Sequence, residues 1–172
     1  MFVIAQRSQL SLNLYRDTMK MTLEQQLQQI IDDAVNYGVS PVVVELAIAP
    51  VIKAYAQQLK KLEYYVLQNL EGDWVLTTIN NPKLQQSKQV IYAFVSVKDA
   101  AAFSGKTNPE LAAAPISVVQ LLFRLSSLQM VDSMIFLEDS QNLNRGVEIE
   151  RDRLFQQIRQ QIQQLQTPPN LA

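Results

Sequence analysis

The spacing of apolar residues changes from helical to strand-like near the middle of this chain, and this change constrains the fold more than any other feature. Between residues 23 and 66, apolar residues recur every three or four positions, as along one face of a helix. Beyond Glu71-Gly72-Asp73, segments 74–79 and 90–96 alternate with a period of two and are rich in β-branched and aromatic residues. The pattern predicts an α+β fold that begins with helices.

The first helix is predicted to begin at Thr22 and to end at Gly38. Thr22 and Gln25 have the spacing of a capping box, in which each side chain hydrogen-bonds the backbone amide of the other residue. Gly38 supplies a residue that tolerates the left-handed conformation at which helices stop. Residues 1–20 show no sustained period and are predicted to form a flexible amino-terminal arm.

A second helix is predicted to begin at Ser40-Pro41, because serine caps helices and proline is tolerated at the first helical position. Its apolar stripe continues to about Asn69 and passes through Pro50, which predicts a bent helix or two abutting ones. A straight helix of about 29 residues would span roughly 44 Å, whereas a compact chain of this length is about 40 Å across. We therefore expect either that Pro50 folds the helix back or that one end projects towards a partner.

The second half of the chain is predicted to supply a mixed sheet of three or four strands and the helices that cover one face of it. An antiparallel pair comes first, and a strand that follows a crossover helix is expected to pair in parallel. The prediction is one domain over residues 21–169, with a helical front end at 21–70 and the sheet and later helices at 74–166. The predicted later elements are strands 74–79, 90–96, 133–138 and 147–149, helices starting after Ser96 and Ser117, a loop at 104–115 and a last helix at 150–166.

Composition excludes several kinds of chemistry and favours a cytoplasmic protein. The chain has no histidine and no cysteine, so it lacks a general base tuned near neutral pH, a thiol nucleophile and the usual ligands of zinc or haem. Its net charge is −1 without a basic cluster, which argues against nucleic-acid binding. Its apolar runs are too short for a signal peptide or a membrane span. We predict no catalytic residue, no metal site and no cofactor.

The most polar constellation follows the third predicted strand, where Glu138, Asp139 and Arg145 are candidate ligand-binding residues. Loops at the carboxyl ends of strands often bind ligands in sheets with crossover helices. A calcium loop does not fit, because the residues at its fifth and sixth positions would be Leu143 and Asn144. The alternative is an ordinary polar turn, which the residue types favour.

Aromatic residues near the junction of the second helix and the sheet form a candidate interaction surface. Tyr64, Tyr65 and Trp74 belong to residue types that are enriched at interface hot spots. The last helix offers a second candidate surface, since some of its apolar residues repeat like the seam of a coiled coil, although packing on the sheet explains the same spacing. These residues are Phe155, Ile158, Ile162 and Leu165.

Residues 74–166 resemble the amino-terminal module of SseB-type proteins. The resemblance is carried by the segment Val90-Ile-Tyr-Ala-Phe-Val-Ser96 with Asp99 and Phe103, and by the segment at 131–137 that precedes Val147-Glu-Ile149. The chain departs from that family at Glu138-Asp139, where an Asn-Pro-like turn is usual. The resemblance implies an α+β module linked to protein interaction rather than catalysis. The glutamine-rich, cysteine-free composition also looks like that of small bacterial proteins, cyanobacterial ones included.

These observations predict a non-enzymatic interaction or scaffold module that binds a protein partner or forms a homodimer. The alternative is a small-ligand-binding protein or carboxylate-dependent enzyme, with its pocket at the end of the third predicted strand. A deep apolar cleft with Glu138, Asp139 and Arg145 converging in it would favour the alternative.

Overall fold

A computed structural model of the protein describes residues 21–104 and 108–167, in which five helices and six strands form an α+β fold. This confirms the predicted fold class, although the sheet has six strands rather than three or four. The predicted arm, residues 1–20, lies outside the described residues. The elements are α1 (Leu23–Asp32), α2 (41–56), β1 (Glu63–Gln68), β2 (Thr77–Asn81), β3 (Gln86–Phe94), α3 (Val97–Phe103), β4 (Ala112–Ser117), α4 (Val118–Leu125), β5 (Ser133–Leu137), β6 (Val147–Glu150) and α5 (Arg151–Gln166).

The start of α1 has the predicted capping box. The Thr22 hydroxyl accepts a hydrogen bond from the Gln25 amide at 3.2 Å, and the Gln25 side chain accepts one from the Thr22 amide at 2.9 Å. After α1 the chain makes a 3-10 turn and stops at Gly38, whose φ is 70°. Both ends of this helical segment therefore lie where the sequence places them.

Helix α2 continues through Pro50 because a wider, π-helical turn precedes the proline. It consists of an α-helical turn, Pro41–Val43, a π-helical segment, Val44–Ile48, and an α-helix, Ala49–Ala56. The Ala49 amide reaches back five residues to the Val44 carbonyl, which makes room for a proline ring that cannot donate a hydrogen bond.

The predicted extension of α2 to Asn69 is wrong, because residues 63–68 form β1. Val66 continues the helical stripe of Leu59 and Leu62, but it also alternates with Tyr64 with a period of two. Strand β1 pairs with β4 over its whole length and with β3 at two positions. Strand pairing between distant segments therefore decides the outcome. Since the helix ends at Ala56, its length no longer requires an end that projects from the molecule.

Strand β4 lies where a loop was predicted. Its sequence, Ala-Ala-Ala-Pro-Ile-Ser, has one β-branched residue, Ile116, and no aromatic residue, so the composition that marks strands is nearly absent. It forms an edge of the sheet beside β1, and an edge strand can contain a proline such as Pro115. The prediction of a loop over 104–115 is therefore corrected for the β4 residues.

The sheet is mixed, with the order β4-β1-β3-β5-β6, and β2 pairs with the first half of β3. The predicted antiparallel pairing of β2 with β3 and the parallel pairing of β3 with β5 are both confirmed. Strands β1 and β2 are both antiparallel to β3. Strand β1 pairs with the carboxyl end of β3, and β2 pairs with the amino-terminal half of β3. Strand β3 is thus the common partner that holds the sheet together.

The two faces of the sheet are covered to different extents. One face packs against α1, α2, α4 and α5 and carries the main core, which includes Tyr64, Ile91 and Phe136. The other face packs against α3 and carries a smaller cluster around Phe94. In the described residues no helix is both long enough and apolar enough to cross a membrane.

A buried glutamine joins the helical layer to the sheet. The Gln26 side chain on α1 donates to the Leu62 carbonyl at 3.0 Å and accepts from the Val119 amide at 3.4 Å. The Leu62 carbonyl also accepts a hydrogen bond from the Val118 amide at 2.9 Å. The buried Val119 amide, by contrast, depends on the Gln26 side chain for its acceptor.

The last helix packs on the core through one side only. Leu154 and Ile158 are buried, whereas the Phe155 side chain is 44% exposed and Leu165 is 46% exposed. Ile158, which a coiled-coil seam would need at the surface, therefore packs in the protein's own core. Phe155 and Leu165 remain accessible at the surface.

Candidate functional site

Glu138, at the carboxyl end of β5, is held by two hydrogen bonds from the region where β1 begins. Its Oε1 atom accepts from the Tyr64 hydroxyl at 2.5 Å and from the Lys60 amide at 2.6 Å. The Tyr64 hydroxyl in turn accepts from the Lys61 amide at 3.1 Å. Burial, followed by the hydrogen bond to Glu138, raises the pKa of Tyr64 well above its usual range. Glu138 therefore ties β5 to the start of β1.

Asp139 and Arg145 lie on the exposed turn that follows Glu138. The Asp139 carboxylate accepts a hydrogen bond from the Gln141 amide at 2.9 Å, as in an Asx turn. Neither of the two clefts described below is lined by Glu138, Asp139 or Arg145. The structure thus gives these residues separate local contacts, and their role in ligand binding stays a prediction.

The same turn is anchored to α3 by a buried carboxylate. Asp99 Oδ2 accepts hydrogen bonds from the hydroxyls of Ser96 and Ser140, both at 2.7 Å. The Ser96 hydroxyl also caps α3, as the sequence predicts, by accepting from the Asp99 amide. These contacts indicate that the polar turn has a structural role.

The predicted aromatic interaction surface is divided by the sheet. Because Tyr64 and Tyr65 belong to strand β1 rather than to a helix, they lie on opposite faces of the sheet. Tyr64 is fully buried against Phe136, with ring centroids 4.9 Å apart, and cannot contact a partner. Tyr65 is half-buried on the face that α3 covers. Trp74 is half-buried on the face that the four other helices cover, at the margin of the main core.

A tight turn between β1 and β2 positions Trp74. The Asn69 side-chain oxygen accepts hydrogen bonds from the amides of Glu71 and Asp73, at 3.1 and 2.8 Å. Gly72 has a φ of 89°, which an L-residue adopts only with strain. The chain then returns so that Trp74 bridges to Gln68. The Asn69 side chain and the Gly72 backbone therefore fix the indole beside the core.

Trp74 forms one wall of an open cleft of about 440 Å³ at the margin of the main core. Ile91 and Val131, which are both buried, line this cleft together with the accessible side chains of Leu76 and Met130, 43% and 77% exposed. Other lining residues are Asp73, Arg124, Ser127, Leu128 and Gln129. We call it the Trp74–Arg124 cleft.

Arg124, in the last turn of α4, lies over the face of the Trp74 ring. Its guanidinium carbon is 3.9 Å from the ring centroid, a distance at which cations are attracted to the indole. Partial desolvation lowers the pKa of Arg124, and electrostatic interaction with the Tyr37 and Asp73 side chains opposes that shift. Within the described residues the guanidinium has no hydrogen-bond acceptor and no ion-pair partner. Its donors are therefore available to a ligand.

The face covered by α3 carries a hydrogen-bonded carboxylate, Glu148, and a second, smaller cleft. Glu148 Oε1 accepts hydrogen bonds from Lys88 Nζ and from the buried Ser133 hydroxyl, both at 2.6 Å. The hydrogen bond from Lys88, followed by that from Ser133, lowers the pKa of Glu148. A cleft of about 190 Å³ lies beside Tyr92 and Phe103. Among the described residues, acidic side chains do not gather in groups of three or more that could hold a metal ion.

Sequence reasoning found Trp74 but missed Arg124. In the sequence, Arg124 is a polar residue between the buried positions of α4, which is usual on the solvent side of an amphipathic helix. Its proximity to Trp74, 50 positions earlier in the chain, depends on how α4 packs beside the β1–β2 turn. No local pattern could have revealed this pair.

Comparison with known proteins adds no family to this description. No protein-family model matches the chain, and the search of curated proteins found no match. The SseB-type resemblance therefore stays a prediction.

Proposed function

We propose that this protein is a non-enzymatic interaction module that docks a protein partner at the Trp74–Arg124 cleft. The observation that carries the proposal is the guanidinium of Arg124, which lies on the indole of Trp74 without a hydrogen-bond acceptor among the described residues. Trp and Arg are among the residue types enriched at interface hot spots. Exposed apolar side chains at the rim, Leu76 and Met130, extend the surface that a partner could cover.

The contacts of the polar clusters also support an interaction role. Glu138 is bound by Tyr64 and Lys60, and Asp99 by two serines, so these carboxylates have structural partners. The alternative function, a small-ligand-binding protein or carboxylate-dependent enzyme, requires Glu138 to be free for a ligand. A cytoplasmic location, and a partner that is neither nucleic acid nor membrane, belong to the same proposal.

Site-specific photocrosslinking in the producing cells tests the proposal directly. A photoreactive benzoylphenylalanine replaces Met130 at the rim of the cleft, and a matched control replaces Leu84, which is 63% exposed in the turn between β2 and β3. We expect the Met130 probe to give an adduct with another protein that the Leu84 probe does not give. Equal labelling at both positions would contradict docking at the cleft. An adduct with twice the protein's own mass would instead identify a second copy as the partner.

A further inference from the structure

We propose that the Trp74–Arg124 cleft recognises a linear segment of the partner in which an acidic residue stands beside a large apolar residue. This inference rests on the proposed function and adds the chemistry of the partner. It follows from three features of the cleft: its unpaired cation, its apolar walls and the strand edge beside it.

The charges at the cleft favour an anionic group. A guanidinium carries five N–H donors, and its contact with the Trp74 ring supplies no hydrogen-bond acceptor. The carboxylate of Asp73 accepts a hydrogen bond from the side-chain NH2 group of Asn69 at 3.3 Å. Arg124 therefore brings unused N–H donors to the cleft. A carboxylate is the ligand that Arg binds best, since two of its N–H groups can meet both oxygens.

The walls of the cleft favour an apolar side chain next to that carboxylate. Ile91 and Val131 form buried apolar surface, and Leu76, Leu128 and Met130 continue it outwards. Covering such surface contributes about 25 cal/mol for each Å² removed from water. A leucine or an aromatic side chain would fill part of the 440 Å³ while the adjacent carboxylate reaches Arg124.

The edge of β2 favours a peptide segment as the source of these groups. Among the described residues β2 pairs with β3 alone, so one edge of β2 keeps unpaired amides and carbonyls. Leu76 lines the cleft and immediately precedes β2. An extended peptide can pair with such an edge, and its alternate side chains then point to one face of the sheet.

Selection from a phage-displayed library of random peptides on the immobilised full-length protein provides the test. We expect the selected peptides to be enriched in Asp or Glu beside Leu, Phe, Tyr or Trp. Binding of one selected peptide, synthesised with a fluorescent label, is then measured by anisotropy. Arg124→Gln is expected to weaken this binding about tenfold, because it removes a charged hydrogen-bond partner of the carboxylate.

Two further variants test whether the charge at the cleft, rather than the overall charge of the protein, determines peptide binding. Asp73→Asn keeps the shape of the turn but removes a negative charge from the cleft, so it should strengthen binding of the acidic peptide by about twofold to fivefold. Arg159→Gln removes the same charge as Arg124→Gln from the exposed surface of α5 and should leave affinity within about twofold. Replacing the acidic residue of the peptide by its amide should cost no further affinity in the Arg124→Gln variant.

The outcomes separate this inference from the proposed function. Selected peptides that lack acidic residues, or that bind equally well to the Arg124→Gln variant, overturn the inference. A crosslink at Met130 would still support docking at the cleft in that case. If the library yields no binder, mass spectrometry of the Met130 adduct identifies the crosslinked segment, and a segment without an Asp or Glu overturns the inference. Thermal melting checks that each variant folds, and Arg124→Lys, which keeps the charge, is expected to bind with intermediate affinity.

Discussion

Replacing Tyr64 by phenylalanine should destabilise the protein by about 2 to 3 kcal/mol, because it removes a charge-assisted hydrogen bond to Glu138 and the acceptor of the Lys61 amide without creating a cavity. The lost hydroxyl donates to Glu138 at 2.5 Å and accepts from the Lys61 amide at 3.1 Å. Glu138 keeps its hydrogen bond from Lys60, and the edge-to-face contact of ring 64 with Phe136 is unchanged. The predicted loss therefore reflects the hydroxyl alone.

Urea denaturation measures this loss, with Trp74, the single tryptophan, as the fluorescent probe and circular dichroism as a second one. We expect a lower midpoint at constant slope, because the surface exposed on unfolding hardly changes. A destabilisation of this size corresponds to a fall in melting temperature of roughly 4 to 12 °C.

Tyr92→Phe is the matched control, since it deletes the same atom from a half-buried ring on the face covered by α3. Tyr92 packs against Phe103 at 4.5 Å, and within the described residues its hydroxyl has no hydrogen-bond partner. We expect it to cost less than about 0.5 kcal/mol. If Tyr64→Phe is no more destabilising than Tyr92→Phe, the bond between Tyr64 and Glu138 does not stabilise the fold and the reasoning fails.

Three further variants test other parts of the structure. Gln26→Leu should cost about 1 to 3 kcal/mol in chemical denaturation, because it leaves the buried Val119 amide unpaired, while the Leu62 carbonyl keeps its bond from Val118; a loss no larger than that of an exposed Gln→Leu change on α5 would argue against this role. Gly146→Ala should cost about 1 to 3 kcal/mol, since the added Cβ would lie 2.7 Å from Ile135, and unchanged melting would contradict that clash. The pKa of Glu148 is lowered from its ordinary 4.5 by Lys88, so its stabilisation of roughly 1 kcal/mol is present above that pH and lost below it. Glu148→Gln should therefore reduce the fall in melting temperature between about pH 5 and pH 3. The same fall in the variant as in the original protein would refute a stabilising interaction between Lys88 and Glu148.

Much of the fold could be predicted because its signals are local. The capping box at Thr22, the stop at Gly38 and the caps at Ser96 and Ser117 are each formed by residues within a few positions of one another. Strands β3 and β5 are also recognisable locally, since Val90-Ile-Tyr-Ala-Phe94 and Ser133-Met-Ile-Phe-Leu137 are short apolar runs rich in β-formers. The helix that follows β6, Arg151–Gln166, begins and ends within a residue of its predicted range, 150–166.

The errors concern segments whose local signals fit more than one structure. Val66 continues the helical stripe of Leu59 and Leu62 and also alternates with Tyr64 as in a strand, and only pairing with β3 and β4 selects the strand. The alanines of β4 have little strand propensity, yet its backbone completes the hydrogen bonds of β1. A prediction that assigns β1 to a helix leaves β4 without a strand to pair with.

The candidate site divides in the same way. The amino-acid sequence by itself determined the α+β class, most helix starts and the choice of Trp74, because caps, turn residues and apolar periods act over a few residues. Only the tertiary structure decided that Tyr64 is buried, that Glu138 serves it as an acceptor and that Arg124 lies on Trp74. Each of these facts depends on contacts between segments tens of residues apart, whose free energy appears only when the sheet and its helices are assembled.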